Sequence, residues 1–299
     1  GPPLIRIGAG AATYRILLDD ARSVVLVRPE PGFYRLTGVQ HGTHRLRVQI
    51  VSESQAGATR FGGFYAQSGT VAARLVAERR QIEFIGDSHT VGYGNTAPNT
   101  ACTQDEVWAT TDTAQGPAGQ LARRYGAGYQ VNAISGRGVV RNYEGGTGAT
   151  LPVAYRSALL TGAPQPVQRS WRPQVIVVAL GTNDFSTPLR VGETWPDRAA
   201  LHADYERTYL RFLRQLRAAH PQALVIVWAT DLAQGEIARE AGRVVALAHA
   251  AGDRRIAFVP VRRLAFSACH GHPSVADDRL IADAIGRAID ARPDAWKTR

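Results

Sequence analysis

The sequence predicts an α/β protein, a doubly wound parallel sheet of five strands preceded by a small antiparallel β-sandwich. Three observations carry that expectation. Apolar runs at 82–85, 130–134, 175–180, 223–229 and 256–260 alternate with helical stretches at about 115–125, 198–219, 234–251 and 275–291, the rhythm of βαβ units. Before residue 70 the pattern is instead one of short strands parted by turn residues. Finally, the chemically suggestive loops all follow the carboxyl ends of strands, where open α/β sheets bind ligands.

Taken in order, the amino-terminal strands read as Tyr14-Arg15-Ile16-Leu17-Leu18, Ser23-Val24-Val25-Leu26-Val27, Phe33-Tyr34-Arg35-Leu36 and His44 to Ile50. The last places Leu46, Val48 and Ile50 on one face and Arg45, Arg47 and Gln49 on the other, the period of a half-exposed strand. Asp19-Asp20, Pro29-Glu30-Pro31-Gly32 and His41-Gly42 supply the turns. Residues 71–81 cross into the second pattern, so two domains are expected, 1–78 and 79–299.

Composition narrows the function. With 299 residues, 44% of them hydrophobic, the chain is globular and large enough for one sizeable core and a smaller one. No apolar run is long enough for a transmembrane helix. The chain opens Gly-Pro-Pro and contains no methionine, which reads as a processed or engineered start. The net charge of +10 comes from arginines scattered as singles and pairs, with Lys297 the one lysine. A nucleic-acid protein concentrates such charge on one face, so no nucleic-acid partner is expected. Cys102 and Cys269 have no zinc-like spacing; they read either as buried free thiols or as a disulfide in an exported protein.

The first parallel strand, Ile82-Glu83-Phe84-Ile85, breaks at once into Gly86-Asp87-Ser88 and the glycine-spaced Gly92-Tyr93-Gly94-Asn95. A serine there is an ordinary turn residue unless a base activates its hydroxyl. Three later loops can complete such a site. Ser135-Gly136-Arg137-Gly138 can turn a backbone N–H toward a cleft, Gly181-Thr182-Asn183-Asp184 brings a side-chain amide, and Cys269-His270-Gly271-His272-Pro273 brings imidazoles. Each alone has a structural explanation; their shared placement is what points to chemistry. The converged set is Ser88 as nucleophile, His272 as base, and the N–H groups of Ser88 and Gly136 with the Asn183 amide as oxyanion donors.

That ordered set resembles the SGNH, or GDSL-like, hydrolase superfamily, whose four signature residues fall on Ser88, Gly136, Asn183 and His272. The fuller blocks, Ile82 to Ser88, Gly92 to Asn95, Ser135 to Val139, Gly181 to Phe185, and Cys269 with Gly271-His272-Pro273-Ser274, are similar to carbohydrate esterase family 2. The amino-terminal region, closed by Phe61-Gly62-Gly63-Phe64, is similar to that family's jelly-roll-like sandwich. The resemblance implies a secreted or periplasmic serine esterase that removes O-acetyl groups from polysaccharides such as xylan or glucomannan, without metal or organic cofactor. Other readings of the same blocks are a lipase, thioesterase or acetyltransferase, and a carbohydrate-binding protein that kept the fold without catalysis. Arg137, Arg141 and Arg190 near the blocks argue against the wide apolar rim of a lipid enzyme.

Two departures stand out. Many SGNH enzymes carry an aspartate three residues before the histidine, and here that position is Cys269. The imidazole must then be oriented by a backbone carbonyl or a more distant carboxylate, of which Asp231 is one candidate. Activity resting on neutral His272 is expected to fall below about pH 6.5. The second departure is His270, two residues from His272 and a competitor for its role, with His272 favoured by its match to the His-Pro block. Asp277 is expected in a capping box with Ser274, Asp87 beneath the Ser88 turn, and Trp228 in the core. Tyr93, Phe185 and Trp195, with Tyr143, are candidate walls for a sugar; Trp195 reads equally as loop packing.

Overall fold

The computed structural model describes residues 3–53, 59–66, 69, 71–73, 78–157 and 171–297. It divides into two compact units, Gly1–Ala77 and Glu78–Arg299. Residues 74–77 of the expected 71–81 crossing lie outside the described residues.

The described residues of the first unit form six strands: β1 (Leu4–Ile7), β2 (Tyr14–Leu18), β3 (Arg22–Leu26), β4 (Gly32–Arg35), β5 (Leu46–Ile50) and β6 (Phe61–Tyr65). They form two antiparallel three-stranded sheets in the orders β4-β1-β6 and β3-β2-β5. Ile5, Ile7, Ala12, Tyr14 and Ile16 are its buried core. Sequence reading misses β1, whose only signal is Ile5 and Ile7 alternating with Arg6 in four residues.

The second unit is built on a parallel sheet of β7 (Arg80–Gly86), β8 (Ala127–Ala133), β9 (Val175–Ala179), β10 (Leu224–Thr230) and β11 (Ile256–Val261), in the order β11-β10-β9-β7-β8. Chain order reverses at β7, flanked by β8 and β9, which is the switch point where such sheets open a crevice. The longer helices are α3 (Pro117–Tyr125), α6 (Arg198–Ala219), α7 (Glu236–Ala250) and α8 (Val275–Asp290), close to their predicted spans. Sequence periodicity misses four short ones, α1 (Ser88–Val91), α2 (Gln104–Thr110), α4 (Leu151–Ala154) and α5 (Thr182–Phe185). A helix of one or two turns shows too little of the 3.6-residue period to be recognised.

Alternation along the strands explains the layers, because successive side chains leave opposite faces. Ile176, Val178, Val225 and Val227 pack with α6 and α7 through Tyr205, Tyr209, Phe212 and Val244. Val175, Val177, Leu224, Ile226 and Trp228 pack with α3 and α8 through Leu121, Ile281 and Ile285. Trp228 is thus core, as expected. Buried Glu83 on β7 is answered by Asn132 Nδ2 at 2.8 Å and the Tyr155 hydroxyl at 2.7 Å, both donating to its carboxylate. Among the described residues no helix is long and apolar enough to cross a membrane.

Candidate active site

Ser88 stands at the first position of α1, immediately after β7. Asp87 caps that helix, its carboxylate accepting the His89 N–H at 3.1 Å. The serine is presented at the carboxyl end of an interior strand and is itself 5% exposed. From 184 positions away, His272 brings Nε2 to 3.0 Å from Ser88 Oγ. Its Nδ1 lies 2.9 Å from the carbonyl oxygen of Cys269. A carbonyl only accepts, so Nδ1 carries the hydrogen and Nε2 presents its lone pair to the serine.

His272 is half-buried, with the Tyr93 ring against it at 4.3 Å between centroids and His89 edge-on at 5.6 Å. Loss of hydration from that packing pushes the imidazole pKa down to about 4, more than the bond to Cys269 raises it. A partly desolvated imidazole resists protonation further than the value near 6.5 from which the acid limit was expected, so that limit should lie lower. His89, fully enclosed beside Trp228 and Phe266, is pushed down to about 3 by burial and then by its neighbour His272.

Gly136 follows β8 with φ 80°, a left-handed conformation that a side chain disfavours, although a Cβ there would meet nothing within 4 Å. Among the described residues neither the Ser88 nor the Gly136 N–H has an acceptor. Asn183, on α5 just past β9, donates through Nδ2 to Asp87 Oδ2 at 3.1 Å and to the Arg137 carbonyl at 2.9 Å. Both amide hydrogens are engaged, joining the first and second loops to the third.

The remaining candidates separate. His270 does not reach Ser88: its Nε2 donates to the Cys102 carbonyl at 2.7 Å and its Nδ1 meets the Tyr93 hydroxyl at 3.1 Å. Phe185 is corrected from sugar contact to core, 2% exposed and edge-on to Tyr205 at 4.7 Å; as the last residue of the unpredicted α5 it turns inward. Trp195 is half-buried against the same core, its indole N–H donating to Asp204 at 3.0 Å, which is loop packing. Tyr143 is 51% exposed. Arg141 is buried, not a surface charge at a cleft. Asp277 forms the capping box with Ser274 and also accepts the Ala265 and Phe266 N–H groups at 2.7 and 3.1 Å. Asp231 makes no contact with the His272 ring, whose Nδ1 is taken by Cys269. Cys102 and Cys269 are joined as a disulfide, with Cα atoms 5.4 Å apart, which decides against the free-thiol reading.

Sequence reasoning names Asp184 and Arg141 but misses their roles. The Asp184 carboxylate accepts the N–H groups of Val139, Val140 and Arg141 at 2.9 to 3.0 Å, holding the loop that contains Gly136. A buried acid next to Asn183 was visible in the motif, but nothing in the sequence said which N–H groups it would meet. Among the described residues no group of His, Cys, Asp and Glu has the arrangement of a metal site. A hydroxyl and a correctly tautomerised imidazole, beside free N–H groups, are the parts of an acyl-transfer site.

Comparison with known proteins agrees. A model of the GDSL-like lipase/acylhydrolase family matches residues 84–285. An acetylxylan esterase / glucomannan deacetylase of Cellvibrio japonicus is 38% identical over 284 residues, which are 95% of this chain and 79% of that protein. The cellulase/esterase CelE of Acetivibrio thermocellus is 30% identical over 261 residues, 85% of this chain and 31% of that longer protein. Among solved structures, a carbohydrate esterase with divergent catalytic and non-catalytic binding functions superposes with a TM-score of 0.93 at 36% identity, over 99% of this chain and 88% of that one. A family two carbohydrate esterase from Clostridium thermocellum in complex with cellohexaose superposes with a TM-score of 0.84 at 25% identity, over 99% and 90%.

Proposed function

The chain belongs to the GDSL-like lipase/acylhydrolase family, and on that premise we propose that it removes O-acetyl groups from a polysaccharide such as xylan or glucomannan. It is a carboxylic ester hydrolase of the carbohydrate-esterase kind. The catalytic pair is Ser88 and His272, in a domain taken as 79–299 after a sandwich of 1–78. The observation that carries the reading is the 3.0 Å approach of His272 Nε2 to Ser88 Oγ, with the opposite ring nitrogen held by a carbonyl.

In this mechanism Nε2 takes the serine proton as Oγ attacks the acetyl carbonyl. The N–H groups of Ser88 and Gly136 and one hydrogen of the Asn183 amide receive the developing oxyanion, the last by leaving the Arg137 carbonyl. The imidazolium returns its proton to the departing sugar hydroxyl, and water repeats the sequence on the acetyl-enzyme. Among the described residues no carboxylate bonds to the His272 ring, so backbone carbonyls, that of Cys269 first, stabilise the imidazolium. The disulfide supports an oxidising location, secreted or periplasmic. Tyr93, its ring tilted against His272 at 4.3 Å between centroids, is the residue best placed among the sugar-wall candidates.

The test is hydrolysis of an activated acetate ester and release of acetate from acetylated xylan and glucomannan by the wild-type protein and by Ser88→Ala. Turnover in the first and its absence in the second is the expected result. An unaffected Ser88→Ala protein would sink the mechanism, and a preference for long acyl chains would move the substrate to lipid.

A further inference from the structure

We infer that the Cys102–Cys269 disulfide is a positioning element for the base: it holds the carbonyl that sets the His272 tautomer, so breaking it lowers turnover while leaving the fold in place. The inference rests on His272 being the base in the proposed reaction.

The Cys269 carbonyl accepts two bonds from one residue, the His272 backbone N–H at 3.1 Å and its ring Nδ1 at 2.9 Å. A carboxylate in that place would bring its own charge and its own rotatable side chain. A carbonyl has neither, and its direction is decided entirely by the backbone of the turn that contains it. That turn, Cys269–Gly271, runs through two successive left-handed residues, His270 at φ 53° and Gly271 at φ 70°. A non-glycine residue persists there when its surroundings over-determine it.

Three of the restraints come from one neighbouring loop, residues 99–103. The disulfide joins Cys269 to Cys102, the His270 N–H donates to the Thr100 carbonyl at 2.8 Å, and His270 Nε2 donates to the Cys102 carbonyl at 2.7 Å. The Tyr93 hydroxyl meets the other ring nitrogen of His270 at 3.1 Å. The loop is in turn anchored by the capping box at the start of α2, between Thr103 and Glu106. Gly94, in the loop after Ser88, makes room for the Cys269 side chain: at φ 56° a Cβ would lie 2.5 Å from Cys269 Cβ and 2.8 Å from its Sγ. The nucleophile's loop is therefore shaped around the same covalent link that steers the base. His270 belongs to this arrangement as a positioning residue and not as a rival base.

The experiment uses the full chain in three forms: oxidised, reduced with dithiothreitol, and Cys102→Ser. Dithiothreitol is oxidised to its cyclic disulfide as the two protein thiols form, which mass measurement after alkylation verifies. Each form is assayed for kcat, KM and pH profile on an activated acetate ester, for far-ultraviolet circular dichroism, and for the imidazole N–H proton of His272 by nuclear magnetic resonance. Reduction should leave the dichroism unchanged, lower kcat by roughly ten- to a hundredfold with little change in KM, and broaden or remove the His272 ring N–H signal. Reoxidation should restore both. Wild-type kcat with an unchanged ring N–H signal in the reduced and Cys102→Ser proteins overturns the inference. So does loss of native dichroism in both, since the bond would then hold the fold and not the base. Where even the oxidised protein fails to cleave the ester, the esterase reading falls, and the ring N–H signal decides the positioning inference separately.

Discussion

Arg141 and Asp184 hold each other's loops. The Asp184 carboxylate accepts the Arg141 backbone N–H at 3.0 Å, and the Arg141 guanidinium donates to the Asp184 carbonyl at 3.3 Å. Around that exchange, Asp184 also accepts from Val139 and Val140, while Arg141 reaches the Thr187 and Pro188 carbonyls and pairs with Glu193. One loop contains Gly136 and the other Asn183, so two of the proposed oxyanion donors share a single support. Asp184→Asn replaces one acceptor oxygen by a donor amide facing backbone N–H groups. Losing hydrogen bonds to a buried charge costs about 2–3 kcal/mol, which in a domain of this size lowers the melting temperature by roughly 5–10 °C. Calorimetry checks the first figure. A parallel loss in kcat, and not in KM, checks that the oxyanion donors have moved.

The pH profile should show two inflections. Burial pushes the Asp184 carboxyl up to about 6 despite its backbone N–H partners, so near that pH it gains a proton and one oxygen ceases to accept; with the folded pKa above the unfolded one that proton does not destabilise the fold, and its effect should fall on the alignment of the Gly136 loop. His272, the proposed base, stays neutral to a much lower pH, because desolvation brings it to about 4. A shallow decline near pH 6 should precede a tenfold fall per pH unit below about 4. Measurement of kcat/KM from pH 3 to 8 on an ester stable over that range decides it. A single steep limb near pH 6.5 would mean that His272 is as hydrated as a free imidazole.

Asn183→Ala removes an amide that serves three loops. Oxyanion donors of this kind are worth roughly a hundred- to a thousandfold in rate, and that loss should fall on kcat. Because Asn183 also bonds to Asp87 and the Arg137 carbonyl, the variant should in addition be less stable by about 1–2 kcal/mol. Asn183→Asp tests the sign: a carboxylate accepts where a donor is needed and repels the developing negative charge, so it should be no more active than the alanine variant.

Much of this site is legible in the sequence because each part sits on a strand end, and strand ends are announced by apolar runs such as Val175 to Leu180. The four signature positions are short and separated, yet the topology brings them to one edge, and the spacing of strands and helices predicts that topology. What the sequence conceals is direction. Phe185 follows Asn183 closely enough to be taken for a cleft wall, but α5 rotates it into the core against Tyr205. The orienting group of His272 is invisible because it is main chain: every residue has a carbonyl, and only the left-handed turn at His270 aims this one. The two cysteines are compatible with free thiols until the loops at 102 and 269 meet.

Tyr93 separates packing from hydrogen bonding at the base. Its ring covers His272 at 4.3 Å, and its hydroxyl meets His270 at 3.1 Å. Tyr93→Phe keeps the cover and removes the hydroxyl, so the acid limb should stay near pH 4, with the loss in kcat confined to a few-fold from a slacker His270. Tyr93→Ala uncovers the imidazole. Desolvation is the largest cause of the depressed His272 pKa, and restoring water favours the charged form, so the pKa rises toward the ordinary value near 6.5. More of the base is then protonated at pH 5, and the alanine variant should lose far more of its activity between pH 7 and pH 5 than the phenylalanine variant does. Coincident acid limbs in the two variants would show that the ring does not shield the base, and the low pKa would need another cause.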